Sequence, residues 1–134
     1  MPGLTLAEAR LALDAGLAEA DAIGQPMNVA VVDDGGHLLA FARQDGAIRA
    51  SIDIAQRKAR TSILMEAPTA ALMPLVQPGA ELYGLEQTAG GMVIFGGGVP
   101  VYRDGVLVGA VGVSAGSVDQ DVQVAEAAVK AVSA

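Results

Sequence analysis

The sequence predicts one α/β (α+β) domain in which helices flank a five-stranded antiparallel sheet. Three observations carry that prediction. Apolar residues recur at helical spacing in some segments and gather into short Val-rich runs in others. Tight Gly- and Asp-containing turns join the short runs within each group, which makes sequence neighbours antiparallel partners. The chain has 134 residues, about the modal size of a single domain, and shows no linker, internal repeat or low-complexity stretch. Residues 1–134 therefore read as one unit.

The elements follow in order. Residues 5–23 read as an amphipathic helix. Thr5 and Glu8 have capping-box spacing, and Leu6, Ala9, Leu13, Leu17 and Ala20 form the stripe. Gly16 interrupts it, at about 1 kcal/mol relative to Ala, or marks a close approach to a neighbour. Gly24 and Pro26 stop the helix. Met27–Val32 and His37–Arg43 are strands joined by the turn Asp33-Asp34-Gly35-Gly36. A second helix runs from Ser51, a good N-cap residue, to about Met65, with Asp53 in its first turn. Pro68, Pro74 and Pro78 break up the next stretch around a short helix near Thr69–Val76. Met92–Phe95, Pro100–Arg103 and Val106–Val113 read as three further strands, the last apolar on both faces and so central or doubly covered. Ser117 and Gln120 form a second capping box at the head of the final helix, which ends near Val132.

Composition narrows the function. Hydrophobic residues make up 52% of the chain and aromatics only 3%. The core is built from Ala, Val, Leu, Ile and Met, and the surplus of apolar surface points to a homo-oligomer. The absence of cysteine excludes disulfides, zinc-thiolate sites, iron–sulfur clusters and thiol catalysis, and suits a cytoplasmic location. The Met1-Pro2-Gly3 start runs straight into a helical pattern, so no signal peptide is expected. No apolar run is long enough to span a bilayer. A net charge of −7 argues against nucleic acid and anionic membrane as partners.

Charge distribution singles out one segment. Five of the eight basic residues, Arg43, Arg49, Arg57, Lys58 and Arg60, fall between positions 43 and 60. The loop Asp45-Gly46-Ala47 leads into the second helix, whose N-terminus offers free N–H groups and positive potential. With Arg43 and Arg49 alongside, this arrangement suits a carboxylate or another organic anion, a small-molecule ligand. Lys58 and Thr61 lie three apart, on one helical face, where the ammonium and hydroxyl could meet the same ligand. Arg57 and Arg60 read better as solvent-facing or subunit contacts. His37, the only histidine, reads as an exposed turn residue. Gly90-Gly91 and Gly96-Gly97-Gly98 read as tight turns and lack the Gly-Lys-Ser/Thr of a P-loop. Asp119 and Asp121 are accounted for as charges at a helix N-terminus. No metal-ligand cluster is apparent.

Several blocks together resemble the GlcG/HbpS family. They are Val31-Val32-Asp33-Asp34-Gly35-Gly36-His37-Leu38, Arg43-Gln44-Asp45-Gly46-Ala47, and Ser51 through Thr61 with Ala55, Lys58, Ala59 and Thr61. Gly97-Gly98-Val99-Pro100-Val101 and Val108 through Ser114 follow, and Asp121 falls where the family carries an acid. The resemblance implies a profilin-like sheet flanked by helices and assembly into dimers or rings of up to eight. It also implies Lys58 and Thr61 near a pocket, and haem or a corrinoid as cofactor or ligand, because some members bind and degrade haem and related domains end corrinoid adenosyltransferases. Axial iron ligands would have to come from His37, Met65, Met73 or Tyr83 or from a less usual group.

Two readings follow. The first is a binding protein for an organic anion or a tetrapyrrole such as haem. The second is a cofactor-independent lyase, isomerase or tautomerase that seats a small carboxylate on Arg43 or Arg49 and uses Lys58 or a nearby carboxylate to move a proton.

Overall fold

The computed structural model describes residues 3–133. Met1 and Pro2, on which the expectation of no signal peptide partly rests, and Ala134 lie outside the described residues. Three α-helices are described, α1 (Leu6–Ile23), α2 (Ala50–Met65) and α3 (Val118–Lys130). Four strands, β1 (Asn28–Asp33), β2 (Leu38–Arg43), β3 (Gly98–Arg103) and β4 (Val106–Ser114), form an antiparallel sheet in the order β2-β1-β4-β3. The fold is therefore α+β, with β1 and β4 central.

Local signals explain most boundaries. Thr5 and Glu8 complete their capping box, as do Ser117 and Gln120, so orphan N–H groups at both helix starts find partners. Gly24 closes α1 in the left-handed region at φ 70°, which a residue without Cβ adopts at no steric cost. The stretch after Pro68 folds as a 3₁₀ segment, Thr69–Leu75.

Helices α1 and α3 pack on each other and cover one face of the sheet, while α2 alone covers the other. Val29, Val31, Val111 and Val113 point into the first layer, where Ala9, Ala12, Val124, Ala125 and Ala128 meet them. Val32 and Ala110 face α2 and meet Ala59 and Ile63. Small residues let α2 lie almost on the sheet. A Cβ on Gly112 would collide with the Ala55 carbonyl oxygen and sit 2.6 Å from Ala59 N, and one on Gly98 would collide with Lys58 O.

Two expectations are corrected. The sheet has four strands, not five, because Met92–Phe95 forms no ladder. Its backbone is satisfied elsewhere: Met92 N donates to Glu86 O at 2.9 Å, and Val93 N donates to the Thr61 hydroxyl at 3.1 Å. The run is apolar because Met92 and Val93 are buried, and burial alone does not distinguish strand from packed loop. Nor does Ser51 cap α2. The helix opens on Arg49, with no side-chain cap, and buried Ser51 accepts a hydrogen bond from Ser114 Oγ at 2.9 Å.

Candidate functional site

The loop between β2 and α2 is held from beneath and open above. Gln44 fixes it: its Oε1 accepts from Met27 N at 2.8 Å, and its Nε2 donates to Asp21 Oδ1 at 3.0 Å. Asn28 Nδ2 donates to Ile48 O, and Ala47 is tucked into the interior. Gly46 takes φ 88°, which a side chain would strain. Arg43, Asp45, Gly46 and Arg49 are left exposed.

Two open cavities flank these residues. One, of about 500 Å³, lies between the loop and the end of α1, with Asp21, Gln25, Pro26, Arg43 and Asp45 in its walls. The other, of about 440 Å³, runs from Arg43 through Asp45 and Gly46 to Arg49. Arg43, Gln44 and Asp45 line both. Neither Arg43 nor Arg49 has an ion-pair partner among the described residues. The positive charge here belongs to the two guanidinium groups, matched in number by Asp21 and Asp45, and the end of α2 adds little because Ser51 N and Ile52 N turn back to Ile48 O and Arg49 O.

Lys58 and Thr61 are not brought to this loop. Both are buried. Lys58 Nζ donates to Val113 O at 2.9 Å and to Asp121 Oδ2 at 2.8 Å, and lies 5.0 Å from the centre of the Phe95 ring. Asp121 Oδ1 accepts from Gly116 N at 3.0 Å. Lys58 therefore crosses the sheet layer, past Gly97, to tie α2 to α3. Burial pushes the Lys58 ammonium below its ordinary value, opposed by Asp121. Burial pushes Asp121 upward, opposed by Lys58 and the Gly116 N–H. The sequence reading made Lys58 a proton carrier beside arginines; in the fold its neighbours are a carboxylate, a carbonyl and an aromatic ring. Thr61 donates to Arg57 O at 2.7 Å, which spends its one proton, and accepts from Val93 N, which holds the 92–95 segment on α2.

Sequence reasoning missed the partner, Asp121, which it explained as a helix-end charge. A lysine on a helix face otherwise made of Ala55, Ala59 and Ser62 was a signal that a buried acid must exist. Of the side chains considered for iron, His37, Met73 and Tyr83 are exposed and Met65 half-buried, and none lines either arginine cavity. Among the described residues no group of three or more His, Asp or Glu side chains is placed to hold a metal ion.

The fold and this loop define a small α+β domain that presents an arginine-lined cavity at the surface. The chain belongs to the HbpS-like family, described as haem-degrading protein, whose model matches residues 4–130. It is 44% identical over 131 residues to an uncharacterised 15.0 kDa protein in the dhaT–dhaS intergenic region of Citrobacter freundii, covering 97% of this chain and 92% of that one. It is 37% identical over 120 residues to the corrinoid adenosyltransferase PduO of Citrobacter freundii, covering 89% of this chain but 36% of the enzyme. Among solved structures, a PduOC:haem complex superposes with a TM-score of 0.93 at 37% identity, over 97% of this chain and 95% of that one. No helix among the described residues is long and apolar enough to cross a membrane.

Proposed function

We propose that the chain binds a carboxylate-bearing small molecule at the β2–α2 loop, with a tetrapyrrole of the haem class as the ligand that best joins site and family. The observation that carries the reading is the pair of cavities around Arg43, Gln44 and Asp45, where the guanidinium groups of Arg43 and Arg49 form no ion pair although Asp21 and Asp45 share the walls. Arg presents a planar fork that matches a carboxylate, and volumes of about 500 and 440 Å³ lie in the range of ligand sites. The haem complex of a 37% identical relative supports the same ligand class. A corrinoid gains less from this site unless it carries a free carboxylate.

The residues present fit the carboxylates of haem and not its iron. No His, Met or Tyr lines the cavities, so no iron-centred step follows. Arg43 and Arg49 would bind and orient propionates. Proton transfer by Lys58 draws no support from its enclosed position. The same reading includes a homo-oligomer, dimer to octamer, a cytoplasmic setting, and no nucleic-acid partner.

The test is titration of the purified chain with haemin and, separately, with metal-free protoporphyrin IX. Both should bind saturably with similar affinity. Replacing Arg43 and Arg49 together by Ala should weaken both by about tenfold or more, since hydrogen bonds to charged groups contribute about 1.5–3 kcal/mol each. Unchanged binding in that double variant would remove the basis for the site.

A further inference from the structure

A separate cleft of about 350 Å³ lies on the α2 face of the molecule, between α2, the β1–β2 turn and the 88–91 loop. It shares no lining residue with the Arg43 cavities. We propose that this cleft is a second binding site, for a small monocarboxylate with a short apolar body, held by Arg57 and Arg60.

The two guanidinium groups are set in advance. Arg57 Nη1 donates to Gly90 O at 2.8 Å and to Gly91 O at 3.3 Å, and its Nε donates to Asp53 Oδ2 at 2.7 Å. Arg60 Nη1 donates to Ala89 O at 2.8 Å. Each arginine thus leans on the loop with one nitrogen, while Nη2 keeps no hydrogen-bond partner among the described residues. The two lie three apart on α2, so their free edges share one helical face. A fork oriented in this way gives up little side-chain freedom when an anion arrives.

Charge selects a monoanion. Acids outnumber bases 15 to 8 in this chain, yet Arg60 has no ion pair among the described residues. Arg57 has only Asp53, which also stands in the cleft. Two guanidinium groups and one carboxylate leave the rim with about one positive charge, which complements a carboxylate better than a phosphate dianion. The uncharged part of the floor is Gly36 and the Arg60 stem, with Val32 beneath. Val32 is buried, and Gly36, at φ 83°, leaves open the space beside the Arg60 stem, where a Cβ would stand 3.5 Å from Cγ. Gln56 spends Nε2 on Ile52 O and keeps Oε1 at the rim. A body of a few carbons covers Gly36 and the Arg60 stem while its carboxylate reaches the guanidinium edges.

The experiment is an amide-resolved NMR titration of the full chain with butyrate, and with butyramide as the uncharged isostere. Butyrate should shift the Gly36, Gln56 and Gly90 amides saturably in the millimolar range, and butyramide should not. Arg60→Gln should weaken the response about tenfold. Gln56→Trp, which fills the cleft and leaves both guanidinium groups in place, should abolish it. The Arg43→Ala/Arg49→Ala variant should retain it, so this site and the β2–α2 loop stand or fall separately. Absence of saturable shifts, equal shifts with butyramide, or a response that survives both Arg60→Gln and Gln56→Trp in folded protein would overturn the proposal.

Discussion

Lys58 carries a charge through the interior, and its free energy depends wholly on being answered there. A buried ammonium or carboxylate alone costs several kcal/mol, whereas the pair, with Val113 O and Gly116 N completing the hydrogen bonds, is tolerated. Lys58→Met strands Asp121 and should destabilise the chain by about 3–5 kcal/mol in urea unfolding. The double variant Lys58→Met/Asp121→Asn should recover a large part of that loss, because Asn still accepts from Gly116 N and no charge remains. If the double variant is no better than the single one, the pair is not the origin of the cost. Glu8 shows the opposite case at the surface. Arg103 bonds its carboxylate and holds it below the usual carboxylate range, with the Thr5 N–H adding to the effect. The folded chain therefore binds that proton more weakly than the unfolded chain. The contribution is complete above about pH 4.3 and is lost as pH falls through the lowered folded value. Stability measured against pH should show a smaller acid loss in Glu8→Gln than in the unaltered chain. Lys58 stood out in the sequence as one of five clustered basic residues and as a ligand-facing group beside Thr61, not as a buried charge. Asp121 did not stand out as its partner, because the two are 63 positions apart and only the fold brings them together.

Glycines decide how closely the elements can pack, and two of them should respond to the same substitution with opposite signs. Gly16 lies within α1, and an added Cβ would stand 3.4 Å from Ala128 Cβ and from Val29 Cγ1, ordinary contact distances. Gly16→Ala should be neutral or stabilise by up to about 1 kcal/mol, the helix-propensity difference. Gly112→Ala would drive a methyl into the backbone of α2 at Ala55 and Ala59, which cannot move aside as a side chain can. It should cost about 3 kcal/mol or more and fall at the upper end of overpacking penalties. Thermal or urea unfolding of the two variants checks both signs. The two capping boxes, the turn before His37 and the Gly24 stop were legible because each is a contact within a few residues. The identity of Met92–Phe95 was not, since its backbone partners, Glu86 O and the Thr61 hydroxyl, come from a neighbouring loop and from α2.

At the scale of the molecule, an Ala- and Val-rich core leaves large apolar side chains outside. Leu11 and Ile48 are each 59% exposed, with Leu38 and Val106 just over half exposed, on separate elements. A second copy would cover some of them, while a net charge of −7 opposes its close approach at low salt. Light scattering should therefore give a mass that is a multiple of 13.4 kDa, and added salt should hold the assembly together by screening the acidic surfaces. Ile48 ties this expectation to binding, because it sits between Gly46 and Arg49 in the loop whose cavities are open on the solvent side. A neighbour seated on Ile48 would wall the cavity and supply the enclosure that one subunit lacks for a ligand as large as a tetrapyrrole. Ile48→Asp should then lower the assembled mass and weaken haemin binding together, although the substitution removes neither arginine. Assembly lost with haemin affinity intact would mean that one subunit suffices for binding. A mass of 13.4 kDa for the unaltered chain at every concentration would end the oligomer reading itself.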